Sequence, residues 1–311
     1  MQMPSETLPR RRRVPLGAPW RPVVAAAACA LLLTACSTAG QDEAPVIAPP
    51  AVSPEVVAVA EQAIEQGRYQ DAKLLLERVL LSEPNNPRAR LGMAEVQLAF
   101  KSLAAAEKSF AALTEVPEVA DRARQGRGIA LLVKGEEQAA ALVLQQAVTE
   151  DPSLWRAWNA LGLLHDRNGA WAEATAAYDR ALELRPDSAM LYNNRGFSYL
   201  LRREPERAIA DFDTALRIDP RLVAAQENLR LAFAWTGQYE RALLGVSSRD
   251  FGRAYNNVGF VALLRGDLPA AESYLLRSME ADAKFNRIAN KNLEYLRGLK
   301  AIDASKTESQ S

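Results

Sequence analysis

Histidine and cysteine are nearly missing from this sequence: its 311 residues include one His, His165, and two Cys, Cys29 and Cys36. A Cys/His zinc site, a disulfide framework and a mechanism with two histidines all need more of these side chains than are present. Net charge is missing too, since 38 Lys and Arg stand against 38 Asp and Glu. Nucleic-acid binding driven by bulk positive charge is therefore not expected. Neither a GxxxxGK[ST] phosphate loop nor a GxSxG nucleophile turn occurs. The strongest apolar run, Val23 to Leu33, is about half the ~20 residues that cross a bilayer as a helix. Hydrophobic residues at 49% and charged residues at 24% describe a folded chain rather than a disordered one.

The charges that are present are unevenly spread. Residues 1–35 hold Arg10, Arg11, Arg12, Arg13 and Arg21 against Glu6 alone. Without this head the chain is mildly acidic. The basic segment, the apolar run and Leu33-Thr34-Ala35-Cys36 together resemble a bacterial lipoprotein signal with its lipobox. That resemblance implies a signal peptide over 1–35, cut before Cys36, and lipidation of Cys36 with palmitate-class chains. Several acyl chains hold a protein stably at about 0.8 kcal/mol per buried methylene, where one chain does so marginally. Ser37 after the cysteine, rather than Asp, implies the outer membrane, with the chain facing the periplasm. The competing reading is an ordinary secretory signal in which Cys36 is incidental. Twin-arginine export is disfavoured, because Val14-Pro15 follows the arginines rather than a hydrophobic pair. Residues 36–52, with Pro45, Pro49 and Pro50 among small side chains, read as a tether.

The remainder repeats. Ala72, Ala106, Ala140, Ala174, Ala208 and Ala242 are each 34 residues apart. Twelve residues before the first five stand Ala60, Ala94, Gly128, Gly162 and Gly196; Arg230 breaks the series. Four residues after the alanines stand Leu76, Phe110, Leu144, Tyr178, Phe212 and Val246, and Pro84, Pro152, Pro186 and Pro220 follow at twelve. The small residues let two helices approach, the large one fills the gap on the same face, and proline ends the second helix. Gly67, Gly135, Gly169, Gly237 and Gly266 fall at the turn between helices, where a left-handed conformation is expected.

This pattern resembles the tetratricopeptide repeat (TPR), a 34-residue pair of antiparallel helices, and is clearest over 155–188. The resemblance implies an all-α fold: a right-handed α-solenoid of about seven helix pairs over 53–285. Repeats start near 53, 87, 121, 155, 189, 223 and 252. A capping helix is expected over 286–302 and a disordered polar tail over 303–311. The sixth repeat is short, and its second helix stops without proline; that is either a local bend or a tolerated deletion. His165, at position 11 of the fourth repeat, reads as interior, and Asp211 and Asp213 as solvated carboxylates. With no base, nucleophile and orienting acid in view, no enzyme activity, metal, cofactor or small-molecule substrate is expected.

Positions 2, 5, 6, 9, 12 and 13 of each first helix share one stripe. In this TPR-like array they would line a peptide-binding groove for a protein partner. The residues are Arg156, Asn159 and Leu163; Asn193, Asn194, Phe197 and Leu201; Glu227, Asn228, Leu231 and Trp235; and Asn256, Asn257, Phe260 and Leu264. Asparagine amides offer donors and acceptors to a peptide main chain, and phenylalanines offer apolar anchors. Asn193 and Asn256 are expected to face the partner. For Asn194, Asn228 and Asn257 the favoured role is a bridge between neighbouring helices. Trp235 reads equally as a groove anchor or as packing, and Trp155 and Trp171 as packing between repeats. The groove lacks the two-lysine carboxylate clamp of chaperone-binding relatives.

Lipobox, tether, repeats and basic end helix together are similar to the TadD-type lipoproteins of tight-adherence (Flp) pilus systems. That similarity implies a scaffold that helps assemble the pilus machine or place its secretin. The alternatives are an NlpI-like adaptor that recruits cell-wall hydrolases or proteases, and another pilotin or envelope assembly factor.

Overall fold

A computed structural model of the protein describes residues 54–308; the expected signal peptide, Cys36 and the tether lie outside them. Fifteen α-helices and no strand occur among the described residues. Seven helix pairs follow one another: α1 (Pro54–Glu65) with α2 (Tyr69–Ser82), α3 (Pro87–Ala99) with α4 (Leu103–Ala111), α5 (Ala120–Lys134) with α6 (Glu137–Glu150), α7 (Trp155–Arg167) with α8 (Trp171–Leu184), α9 (Ala189–Leu201) with α10 (Pro205–Ile218), α11 (Val223–Trp235) with α12 (Tyr239–Leu243), and α13 (Phe251–Leu264) with α14 (Leu268–Ala281). A last helix, α15 (Asn286–Glu308), closes the series.

Each second helix packs on its own first helix and on the first helix of the next pair, and each first helix also touches the next first helix. This neighbour-only pattern makes the array an α-solenoid, with a core that runs along it rather than collecting at one centre. The alanines at the 34-residue step are buried throughout, from Ala72 to Ala242, and Ala271 continues them. Leu76, Phe110, Leu144, Tyr178, Phe212 and Leu275 are fully buried against them. A Cβ on Gly162 would meet Tyr178 ring carbons at 2.7, 2.8 and 2.9 Å, which shows why the facing position is small.

The turns within the pairs need positive φ. Glycine supplies it at Gly67, Gly135, Gly169, Gly237 and Gly266, while Lys101 (φ 58°) and Arg203 (φ 61°) hold the same turn with a side chain. Asn86 caps α3 by accepting from the Ala89 amide at 2.9 Å, just ahead of Pro87 at the first helical position.

Two elements differ from expectation. Helix α12 has five residues and ends at Leu243. Val246, expected on its buried face, therefore lies beyond it, after Gly245 turns with φ 69°. Residues 303–308, expected as a disordered tail, continue α15. No Gly or Pro interrupts them, and Ala304 and Lys306 are good helix formers.

Candidate functional site

The first helices α1, α3, α5, α7, α9, α11 and α13 present one continuous face. Its chemistry changes along the array. At position 9 the residues are Glu61 and Glu95, then Ile129, Leu163, Phe197, Leu231 and Phe260. At position 13 they are Glu65 and Ala99, then Val133, Arg167, Leu201, Trp235 and Leu264. Phe197 is 41% exposed and Phe260 43%, with Val133, Leu201 and Leu264 comparably open. Leu163, Leu231 and Trp235 are half-buried between them. Aromatic side chains held open on a helix face at repeat spacing can anchor a partner without rearrangement. The second helices also expose leucines, such as Leu74 and Leu142, but Lys108, Ala176 and Ala210 interrupt that row. Ile129 and Val133 were not singled out from the sequence, although the same 34-residue step marks them.

Position 5 is where expectation fails. Asn193 is 8% exposed and Asn256 9%, too buried to face a partner. Asn228 Nδ2 donates to Asn193 Oδ1 at 2.9 Å, and Asn193 Nδ2 donates to Asn194 Oδ1 at 3.3 Å. Asn194 Nδ2 in turn donates to Asn159 Oδ1 at 2.9 Å. Asn292 on α15 donates to Asn256 Oδ1 at 3.2 Å. These amides tie neighbouring first helices together, because a step of 35 or 36 residues sets one carboxamide beside the next. Asn194 and Asn228 thus bridge helices, and so do Asn193 and Asn256. The Asn257 side chain makes no hydrogen bond among the described residues. The residue that would have met it is Glu227, held instead by Arg230 at 3.1 Å and Arg253 at 3.2 Å.

The start of the array is charged. Glu61 is held by Arg88, and Arg122 spans Glu61 at 3.2 Å and Glu95 at 3.3 Å. Partial burial pushes the Glu61 carboxyl up, but the hydrogen bonds and charges of Arg88 and Arg122 outweigh it and hold the group below the usual carboxylate range. Residues of α1, α3, α5, α7 and α9 line one hollow of about 740 Å³, so the face is concave there. Arg156 lies in it beside Trp155. Trp155 also packs on Ala181, Leu182 and Leu191 as expected between repeats, whereas Trp171, at the start of α8, is 37% exposed.

Aromatic rings cluster beside the short α12. Phe251 stacks on Tyr255 at 5.4 Å, Tyr255 on Tyr274 at 6.2 Å, and Tyr239 meets Tyr274 edge-on at 5.6 Å. Arg277 lies 4.5 Å over Tyr255. Trp235 sits in the packing of α9, α11 and α13, with Arg203 at 6.0 Å from its ring. Asp211, expected in solvent, is 6% exposed and takes a bidentate pair of hydrogen bonds from Arg195, both 2.8 Å; Asp213 is exposed. His165 is half-buried. No cluster of three or more His, Cys, Asp or Glu side chains suited to a metal occurs among the described residues. No helix among them is long and apolar enough to cross a membrane.

Two family models described as tetratricopeptide repeat match this chain, one at residues 63–124 and the other at 102–154, 126–189 and 159–223. Together they span residues 63–223, just over half of the sequence. The chain is a member of the tetratricopeptide repeat family. Its TPR array is similar to a chain in the APC/C hetero-tetramer Cut9–Hcn1, with TM-score 0.61 and 18% identity over 79% of this chain and 49% of that one. It is also similar to a thermophilic TPR protein of Thermus thermophilus, with TM-score 0.50 and 22% identity over 61% of this chain and 98% of that one. At these identities the likeness shows the fold alone. Among curated proteins, FlbA of Caulobacter vibrioides is 35% identical over 88 residues, 28% of this chain and 15% of FlbA. A TPR and J domain-containing co-chaperone of Cryptococcus neoformans, DNJ1, is 31% identical over 117 residues, 37% of this chain and 20% of the co-chaperone. The matched stretches thus span a fifth or less of these relatives. The repeats make the TPR chain a protein–protein interaction scaffold.

Proposed function

We propose that this TPR chain is a non-enzymatic, lipid-anchored envelope scaffold that holds a partner polypeptide on its first-helix face and serves assembly of a tight-adherence (Flp) pilus machine, with the secretin as its partner. The observation that carries the binding role is the apolar row Ile129, Leu163, Phe197, Leu231 and Phe260 on a preformed helical face, in which Phe197 and Phe260 stand exposed and the other three are half-buried between and beside them. A preformed face orders few side chains on binding, so little of the contact energy is lost to entropy. The anchor rests on the lipobox at Leu33–Cys36, and the pilus role on the combination of lipobox, tether and repeats.

The test is retention from detergent-solubilised envelope on the tagged full chain. Secretin is expected in the eluate. Phe197→Ala with Phe260→Ala should lower its recovery at least tenfold, at about 1–2 kcal/mol per truncated aromatic anchor. Cys36→Ser should lose palmitate label and leave the membrane fraction. Recovery unchanged by the double variant, with helix content intact, would remove the first-helix face as the site. Cell-wall hydrolases in place of secretin would move the assignment to an NlpI-like adaptor.

A further inference from the structure

Arg88, Arg122 and Arg156 stand at position 2 of the second, third and fourth repeats, 34 residues apart. Arg88 is paired with Glu61, and Arg122 with Glu61 and Glu95. The acids of this ladder are the position-9 residues of the first two repeats. In the third repeat position 9 is Ile129, so the ladder reaches Arg156 without a carboxylate to meet it. Among the described residues no Asp or Glu pairs with Arg156. Its guanidinium lies 5.2 Å from the Trp155 ring centre, and Arg185 lies 5.3 Å from the same ring. Trp155, Arg156, Arg185 and the 44%-exposed Met190 line the 740 Å³ hollow, Arg185 itself pairing with Asp187 at 3.3 Å. The same hollow is lined by Glu61 and Glu95, both paired with arginines, and by Glu65.

We infer that this hollow selects a partner segment carrying an acidic side chain next to an apolar one: the carboxylate seats on Arg156, flanked by Arg185, and the apolar neighbour packs against Trp155 and Met190. A half-buried guanidinium beside an aromatic ring is weakly hydrated and gains most from a carboxylate that accepts its N–H groups. The apolar row runs on to α13, which suits an internal Asp or Glu of a segment passing through better than a chain end. Seating such a segment presupposes the partner-binding role proposed above.

The probe is an array of twelve-residue peptides with two leucines at a spacing of four and a central Glu-Leu, Gln-Leu or Lys-Leu pair, overlaid with the full chain. Glu-Leu peptides should be retained about tenfold more than Gln-Leu, the strength of one charge-assisted hydrogen-bonded contact at a partly exposed site. Arg156→Gln should abolish that preference with helix content unchanged, Arg156→Lys should keep part of it, and Arg156→Glu should turn it toward Lys-Leu. Equal retention of Glu-Leu and Gln-Leu by the parent, or a preference that survives Arg156→Gln, would overturn the inference. Retention that depends on Phe197 and Phe260 but ignores charge would overturn it while leaving the scaffold role standing. Retention of no peptide at all would overturn the inference, while the scaffold role stands or falls on recovery of secretin.

Discussion

Gly162→Ala sets two effects of opposite sign against each other. Gly162 lies inside α7, where alanine is favoured over glycine by about 1 kcal/mol. The added Cβ, however, would lie under 3 Å from three ring carbons of Tyr178. Tyr178 has no room to give. Its ring is fully buried, its hydroxyl donates to Asp166 Oδ2 at 2.8 Å, and Asp166 Oδ1 also accepts from Ser198 Oγ at 2.6 Å. Overpacking of a filled core costs about 1–3 kcal/mol, and stretching the buried hydroxyl bond adds about 1 kcal/mol. The packing term wins, and a net loss of about 1–3 kcal/mol is expected. Gly298→Ala is the control: it lies within α15 and its Cβ meets nothing within 4 Å, so a gain of about 0.5–1 kcal/mol is expected. Urea unfolding of the full chain, followed by circular dichroism, gives both as midpoint shifts at unchanged slope. In a Tyr178→Leu background the cost of Gly162→Ala should shrink, since the ring carbons that the new Cβ meets are gone. If Gly162→Ala stabilises as much as Gly298→Ala, the close approach of α7 and α8 is refuted.

Asn228→Ala should cost about 1–2 kcal/mol, because it leaves the buried Asn193 carbonyl oxygen without its 2.9 Å donor, while Asn257→Ala should shift the urea midpoint by less than about 0.5 kcal/mol; equal effects would contradict the amide bridges. The Glu61 carboxyl is held below its ordinary range in the folded chain, so the stability from its arginine pairs is present above that range and lost as pH falls through the folded-state value. Thermal midpoints measured from about pH 6 to about pH 3 should fall more steeply for the parent than for Glu61→Gln, and parallel curves would count against the pairing.

How much could be read from the chain alone follows from distance. The small residue at Gly162 and the large one at Tyr178 sit within one hairpin, so their pairing repeats in the sequence and the period exposes it. The stripe on the first helices follows from the same helical geometry, and Phe197 and Phe260 on it are exposed. The asparagines did not follow. A buried carboxamide that bridges repeats and an open one that greets a partner occupy the same stripe, and only the neighbour 35 residues away decides between them. Asn193 and Asn256 have such neighbours in Asn228 and Asn292, whereas for Asn257 the short sixth repeat shifts the step and puts Glu227, already held by arginines, in that place. Asp211 was misplaced for a similar reason: a carboxylate on a polar helix looks solvated until Arg195, in the adjacent helix, covers it. The hollow that joins Glu65 to Trp155 and Met190 draws on side chains from five first helices, and no local pattern in the sequence announces it.

Site-specific photo-crosslinking tests the central claim most directly. A benzoylphenylalanine placed at 197 or 260 on the first helices, and at 74 or 142 on the second helices, reports which side of the array meets another polypeptide in intact cells. Positions 197 and 260 should capture the same partner band, with none at 74 or 142. Capture at 74 and 142 with none at 197 or 260 would place binding on the opposite side and contradict the account.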